Sequence, residues 1–176
     1  MTKKRVAIDM DEVMADALGK LVRLYEKEYE PVDPDKLHGK LLEQAIRPEH
    51  SHVVREYLFD KDFFKDLEVM PDSQEVVKAM HERYEIFIVT AAMEFPDSLW
   101  HKYNWLQEHF PFLHWKNFVF CGDKSIIQAD YLIDDHPKNL LTFSGEPVIF
   151  TSPHNVHETR FRRVNNWKEV GDMFLE

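Results

Sequence analysis

The sequence predicts an α/β fold in which helices cover both faces of a parallel β-sheet. Five short apolar runs alternate with longer amphipathic segments, which is the pattern of parallel strands joined by helices. The segment between the first two apolar runs contains helical patterns and no convincing strand. A chain of 176 residues suits one main domain with a modest insertion. We therefore expect a Rossmann-like three-layer sandwich with a small helical cap inserted after the first strand.

The predicted strands are brief, rich in β-branched and aromatic residues, and bounded by polar residues. They cover residues 6–8, 86–89, 118–120, 131–133 and 147–150. Two segments between them, 73–83 and 97–109, carry apolar residues at helical spacing. Trp100 and Trp105 lie on the second of these helices, and we expect both to be core or helix-packing residues. In such a sheet, the ligand site lies outside the carboxyl ends of the strands.

The long helical segment defines the expected domain organisation. Residues 1–14 and 70–176 form the catalytic α/β core, and residues 15–69 form the cap. Both ends of this segment emerge at the carboxyl edge of the sheet, so the cap is expected to cover that edge like a lid.

Composition restricts the classes of partner. Lys and Arg number 22 against 32 Asp and Glu, which gives a net charge of −10 and argues against binding to a nucleic-acid polymer. The basic run of Arg160, Arg162 and Arg163 is expected to be a solvated face. The single cysteine, Cys121, fits a reducing compartment, and no apolar stretch approaches the ~20 residues that a membrane helix needs. We expect a cytoplasmic protein that does not bind membranes.

Polar residues follow four of the predicted strands, and parallel strands bring such ends to one edge. They are Asp9 and Asp11 after the first strand, Thr90 after the second, Lys124 after the third, and Asp134 and Asp135 after the fourth. Two carboxylates about 4 Å apart repel by roughly 4 kcal/mol at an effective dielectric near 20, so this cluster needs a cation. His154 and His157 do not look like a metal site. The remaining ligands are oxygens, which favours Mg²⁺ and phosphoryl chemistry.

These residues and their order resemble the four motifs of the haloacid dehalogenase superfamily of phosphohydrolases. The chain more closely resembles the 5'(3')-deoxyribonucleotidases within it. That likeness rests on several short sequence motifs: DMDEVMAD at 9–16, FFKDLE at 63–68, KYNW at 102–105, DK at 123–124, LIDD at 132–135 and FTSPHN at 150–155. The resemblance covers nearly the whole chain.

The resemblance implies a role for each matching residue at the start of the chain. Asp9 is the nucleophile and a Mg²⁺ ligand. Asp11 binds the metal through its main-chain carbonyl, protonates the leaving alkoxide and then activates water.

The later motifs imply the remaining contacts. Thr90 and the backbone N–H of Ala91 donate hydrogen bonds to the phosphate, and Lys124 neutralises its charge. Asp134 ligates Mg²⁺. Asp135 has two open roles, a structural hydrogen-bonding role behind the ligands or a place on the metal itself.

Several positions depart from the family pattern, including Ala91, where a serine commonly follows the motif threonine. Glu12 stands where the family usually has glycine. Ala17, and Lys40 with Leu41, stand where the nucleotidases carry aromatic residues that enclose the base. Leu41 and Phe64 are the candidate substrate contacts of the cap.

We therefore expect a Mg²⁺-dependent phosphomonoester hydrolase that acts on (deoxy)nucleoside monophosphates through an aspartyl-phosphate intermediate, as a monomer or a homodimer. One alternative is a phosphatase for another small phosphate ester, such as a sugar phosphate. A second alternative, from a different class, is a phospho-accepting receiver domain. Receivers, however, place a lone acceptor aspartate after the third strand and have no long helical insertion.

Overall fold

A six-stranded parallel sheet forms the centre of the computed structural model, which describes residues 2–176. From edge to edge the strands run β3, β2, β1, β4, β5, β6. Their bounds are β1 (Arg5–Ile8), β2 (Glu85–Thr90), β3 (Phe118–Phe120), β4 (Tyr131–Asp134), β5 (Glu146–Phe150) and β6 (Arg162–Val164). In the register, Val6 of β1 pairs with Ile86 on one side and with Tyr131 on the other. The first strand is therefore central, and the residues that follow it lie at the middle of the carboxyl edge.

Eight α-helices are present among the described residues. They are α1 (Ala17–Glu28), α2 (Pro34–Leu37), α3 (Leu42–Ala45), α4 (Ser51–Phe59), α5 (Ser73–Arg83), α6 (Ser98–His109), α7 (Pro137–Leu141) and α8 (Trp167–Leu175). Alternate strand residues point to opposite faces of the sheet. The larger core joins Ile8, Ile88 and Ile133 to α5, α6 and α8, and the smaller core joins Ala7 and Leu132 to α7. The predicted α/β fold class is confirmed.

Helices α1 to α4 lie between β1 and β2, and the two ends of their segment are held together. Ala15 forms an antiparallel bridge with Val69, and the backbone N–H of Met70 donates to the carbonyl of Met14 at 2.8 Å. Leu21 of α1 and Val54 of α4 join the larger core. Because its ends are paired side by side, this segment leaves and rejoins the sheet layer at one place.

The sixth strand was not predicted, and Arg163 within it corrects the expectation of a solvated basic face. Its guanidinium donates to Thr151 Oγ1, Asn155 Oδ1, Asn155 O and Glu158 O at 2.6–2.9 Å. Arg162 remains exposed. The sequence gives little indication of this strand because only Val164 is apolar. The strand lies at the edge of the sheet and pairs only with β5, so it does not require a continuous apolar run.

The prediction for α6 was correct for Trp105 and wrong for Trp100. Trp105 is buried and its Nε1 donates to the carbonyl of Leu67 at 2.8 Å, whereas Trp100 is 68% exposed. The buried face of α6 follows Lys102, Trp105 and Leu106. Among residues 2–176, no helix combines the length and the apolar character required to cross a bilayer.

Candidate active site

The turn after β1 carries Asp9 and Asp11 at the carboxyl edge of the sheet. The N–H of Asp9 extends the strand ladder to Ile133 O at 2.9 Å, and Met10 O then accepts from Met14 and Ala15 at 2.8 and 2.9 Å. Glu12 lies within this turn at φ 62°, in the left-handed region that glycine adopts at little cost. A glycine, which the resemblance implies at this position, would adopt this backbone at lower cost than Glu12 does.

Lys124 joins two of the strand ends. Asp123 Oδ1 accepts from the N–H of Ser125 at 2.8 Å and so begins the turn that holds the lysine. The Lys124 side chain is 2% exposed, and its Nζ lies 2.5 Å from Asp9 Oδ1 and 2.6 Å from Asp134 Oδ2. Burial opposes the charge, but the two carboxylates outweigh burial and raise the pKa of Lys124 above its ordinary value.

Asp134 and Asp135 occupy different environments although they are adjacent. The carboxylate of Asp134 is fully buried and receives hydrogen bonds from Lys124 Nζ, from the N–H of His136 at 2.8 Å and from Asn139 Nδ2 at 3.0 Å. Asp135 lines the adjoining cavity, and Asp134 does not. Burial, followed by the charges of Asp134 and Asp9, raises the pKa of Asp135 well above its usual range.

Lys102 is a site residue whose role sequence reasoning missed. It is 1% exposed on α6, its Nζ donates to Asp11 Oδ2 and to Thr90 Oγ1, the latter at 2.9 Å, and it lies 4.5 Å from the ring centre of Phe64. The sequence does contain a signal for this role, because Lys102 lies on the same face of α6 as the apolar residue Trp105. A lysine on a buried face needs an acidic or polar partner, and the acidic residues of the site are the available partners.

The acidic residues fit a hard divalent cation. Asp9, Asp134 and Asp135 each offer an oxygen, and these three atoms lie within 4.8 Å of one another. Burial raises the pKa of Asp9 to about 7, and Lys124 opposes this shift. Asp11 Oδ1 is buried with no hydrogen-bond partner among the described residues. Three carboxylates share the single charge of Lys124, so negative charge remains in the cluster. Carboxylate oxygens of this kind are the donors that bind Mg²⁺ in phosphoryl-transfer sites.

A cavity of about 330 Å³ opens beside these residues. Asp9, Asp11, Lys124 and Asp135 are among its charged lining residues. Its apolar lining residues include Ala17, Leu18, Leu21, Leu41, Leu42, Val54, Leu58, Phe64 and Phe95. The structure thus brings helices α1, α3 and α4 to the cavity that holds the acidic residues.

Three of the remaining predicted contacts also border this region. Ala91, Leu41 and Phe64 line the cavity. Thr90 is fully buried behind the lining residues, where its hydroxyl accepts from Lys102. All the predicted site residues are therefore close to one cavity, with Thr90 and Asp134 behind its surface.

Comparisons with known proteins agree with this arrangement. Residues 3–176 match the family described as 5' nucleotidase, deoxy (pyrimidine), cytosolic type C protein. A Staphylococcus epidermidis protein is 50% identical over 175 residues, which are 99% of this chain and 97% of that protein. A Bacillus subtilis 5'(3')-deoxyribonucleotidase is 43% identical over 171 residues, which are 96% of each chain.

Solved structures show the same fold at low sequence identity. A haloacid dehalogenase-like family hydrolase from Streptococcus pneumoniae has a TM-score of 0.61 at 13% identity, covering 98% of both chains. A Bacillus subtilis protein of the HAD-hydrolase class, solved bound to magnesium, has a TM-score of 0.61 at 13% identity and full coverage of both. The resemblance to the haloacid dehalogenase fold is confirmed.

The family match spans nearly the whole chain. The Bacillus relative is 43% identical over 96% of each chain, which is enough to place both in one family. The expected resemblance to the 5'(3')-deoxyribonucleotidases is therefore confirmed. This chain is a phosphatase, and it belongs to the family of 5' nucleotidase, deoxy (pyrimidine), cytosolic type C proteins.

Proposed function

We propose that this protein is a Mg²⁺-dependent hydrolase of (deoxy)nucleoside monophosphates that works through phosphorylation of Asp9. The contact of Lys124 with both Asp9 and Asp134, beside a cavity that also has many apolar lining residues, is the observation that carries the proposal. It supports an anionic phosphate and an apolar group of the substrate in one cavity.

In the first proposed step, a carboxylate oxygen of Asp9 attacks phosphorus as the bond between phosphorus and the ester oxygen breaks. Asp11 gives its proton to the departing alkoxide. Lys124 and the backbone N–H of Ala91 stabilise the charge on the phosphoryl oxygens, and Thr90 donates to them after a modest shift toward the cavity.

In the second step, Asp11 takes a proton from water, and the water oxygen attacks the phosphorus of the phospho-aspartate. The bond between phosphorus and Asp9 breaks, which releases inorganic phosphate and restores the carboxylate. Lys102 contacts Asp11 and positions this carboxyl for both proton transfers.

Asp9, the main-chain carbonyl of Asp11 and Asp134 would hold Mg²⁺, with Asp135 offering a further oxygen from the cavity side. The ion would neutralise the acidic cluster and the charge of the transferring phosphoryl group. The hard oxygen donors of this chain support the assignment, and the Bacillus HAD-hydrolase bound to magnesium is a precedent from the same fold.

We further propose that residues 15–69 act as the cap that selects the substrate. The core residues reach only phosphate and metal, so recognition of the nucleoside falls to the apolar lining residues, to which Leu41 and Phe64 belong. Closure of such residues over the site would also exclude water from the phospho-aspartate.

Replacing the nucleophile tests the reaction. We expect Asp9→Asn to abolish phosphate release from nucleoside monophosphates at saturating Mg²⁺, because an amide cannot form the phospho-intermediate. Asp123→Asn removes an exposed negative charge beside Lys124 but keeps the Oδ1 acceptor for the N–H of Ser125, so this matched control should keep substantial activity. Wild-type turnover by the Asp9→Asn variant would overturn the assignment.

A panel of deoxy- and ribonucleoside monophosphates and sugar phosphates tests the substrate class. Leu41 and Ala17 line the cavity where aromatic residues are usual, and these aliphatic residues favour a sugar phosphate as the second candidate. Faster turnover of nucleotides supports the main proposal, and faster turnover of sugar phosphates supports the alternative. Multiple turnovers per chain exclude a receiver domain, which would be labelled only once.

The proposed setting is the cytoplasm, with a small phosphate monoester as partner and with no nucleic-acid polymer or membrane. The acidic net charge and the buried thiol of Cys121 support this setting. Light scattering of the purified protein decides between a monomer and a homodimer.

A further inference from the structure

A second set of potential metal ligands lies beside the proposed Mg²⁺ site. Glu12, Asp135 and His154 each offer one ligand atom, and these atoms lie within 4.8 Å of one another. They come from three separate places in the chain: the turn after β1, the end of β4 and the 3-10 turn after β5. We propose that they bind a second divalent cation of the type that accepts imidazole, with Zn²⁺ as its representative.

The carboxylate of Asp135 is the first observation that points to a ligand. Its side chain is 5% exposed, and the hydrogen bonds from His154 Nε2 and Asn155 Nδ2 end on its backbone carbonyl, at 3.2 and 2.7 Å. The carboxylate oxygen Oδ2 lies 3.5 Å from His154 Nε2. These neighbours donate to the backbone and leave the carboxylate charge without their hydrogen bonds, and a cation at its oxygens would supply the missing stabilisation.

His154 has the surroundings of a metal-binding imidazole. Its Nδ1 lies 3.1 Å from the hydroxyl of Ser152, which is itself buried. Without a metal, Nε2 carries the proton that it donates to the carbonyl of Asp135. Binding of a cation would take the other tautomer, in which Nδ1–H is donated to the Ser152 hydroxyl and Nε2 presents its lone pair toward Asp135 and Glu12. Metal-bound histidines are commonly held in this way through the other ring nitrogen.

A second imidazole adjoins the cluster. The ring of His136 lies 5.1 Å from that of His154, and both residues line the cavity. Among residues 2–176, His136 Nδ1 is one of three buried side-chain atoms with no hydrogen-bond partner. This nitrogen is therefore the available candidate for a fourth ligand.

The donor atoms decide which ion suits each site. Mg²⁺ prefers oxygen ligands alone, whereas imidazole with carboxylates suits Zn²⁺. Asp135 belongs to both sets, so one carboxylate would bridge the two cations. The position of the neighbouring Mg²⁺ rests on the proposed function, but the second set of ligands does not.

Calorimetric titration of Zn²⁺ into the full chain at saturating Mg²⁺ tests the proposal. We expect one zinc ion per chain in the wild type, and at least about tenfold weaker binding in His154→Ala and in Glu12→Gln. His157→Ala removes an imidazole from the same segment outside the cluster and should bind zinc as the wild type does. Circular dichroism identifies any variant that fails to fold, and Glu12→Gln then decides the result.

Absorption spectroscopy at the zinc edge provides an independent reading. Imidazole scattering in the wild type, weakened in His154→Ala, supports the proposal. Wild-type zinc affinity in both variants overturns it, and so does complete displacement of zinc by Mg²⁺, which would place zinc in the oxygen site alone. Turnover by Asp9→Asn reports on the proposed function separately, so the failure of one can be told from the failure of the other.

Discussion

Nζ of Lys102 donates a 2.9 Å hydrogen bond to Oγ1 of Thr90 and so fixes helix α6 to the carboxyl end of strand β2. The same ammonium contacts Asp11, so a single buried charge orients both the proposed proton donor and the threonine of the phosphate site. The position of α6 against the sheet is thereby linked to the geometry of the site.

Lys102→Met should lower kcat/KM on the best substrate by about 100-fold or more, within the range that general acid–base groups contribute. The methionine fills the space but leaves Asp11 without its cationic partner. Lys102→Arg should not restore activity, because a planar guanidinium does not fit the place of a fully buried ammonium. Initial rates at saturating Mg²⁺ measure the effect, and wild-type rates in Lys102→Met would contradict it.

The metal-free protein should lose stability as pH rises from about 4 to about 8. Burial raises the pKa of Asp9 to about 7 and that of Glu12 to about 8, whereas both titrate near 4 in the unfolded chain. The folded state therefore holds more protons in this window, and the free energy of unfolding falls with pH. Urea denaturation in the presence of a chelator measures this slope.

Mg²⁺ should flatten that pH dependence because it replaces the bound protons as the neutralising charge. Asp9→Asn removes one of the titrating groups and should reduce the metal-free slope. Equal slopes with and without Mg²⁺ would show that the cation does not bind among these carboxylates.

Gly39→Ala should destabilise the protein by roughly 1–2 kcal/mol, the cost of left-handed backbone for a residue with a Cβ atom. Gly39 has φ 76°, and an added Cβ would lie 2.5 Å from His157 Cδ2. Adding His157→Ala should recover only the part of the loss that comes from this contact. Thermal unfolding of the single and double variants measures both parts, and an unchanged Tm in Gly39→Ala would be the contrary result.

Arg163→Lys should lower the free energy of unfolding by about 1–3 kcal/mol, because one ammonium cannot reproduce the fork of hydrogen bonds to Thr151, Asn155 and Glu158. Arg162→Lys is the matched control. Arg162 is exposed and lies 3.5 Å from Glu146, so its replacement should change stability by less than about 0.5 kcal/mol. If the two variants lost similar amounts of unfolding free energy, the hydrogen bonds of Arg163 would not be the cause of its effect.

The sheet and the acidic edge could be predicted because both depend on local sequence. Runs such as 86–89 are apolar enough to identify a buried strand, and parallel pairing places Asp9 and Asp134 at one edge without further information. Strand β6 escaped prediction because it pairs only with β5 and contributes one buried apolar side chain, Val164.

Contacts made by tertiary packing could not be predicted in the same way. Lys102 reaches Asp11 only because α6 crosses the carboxyl edge with Trp105 against Leu67. The same rotation of α6 exposes Trp100, although its residue type favours the interior. His154 joins Asp135 across 19 residues of chain, a distance that motif spacing does not reveal.

Trp167 Nε1 donates to Val13 O at 2.7 Å across 154 residues of chain, so helix α8 supports the turn that carries Asp9 and Asp11. During synthesis, that turn emerges from the ribosome long before the indole that braces it. A nascent chain lacking α8 would thus expose its acidic loop unsupported, and hydrolytic competence would arise only after α8 has been synthesised and has docked.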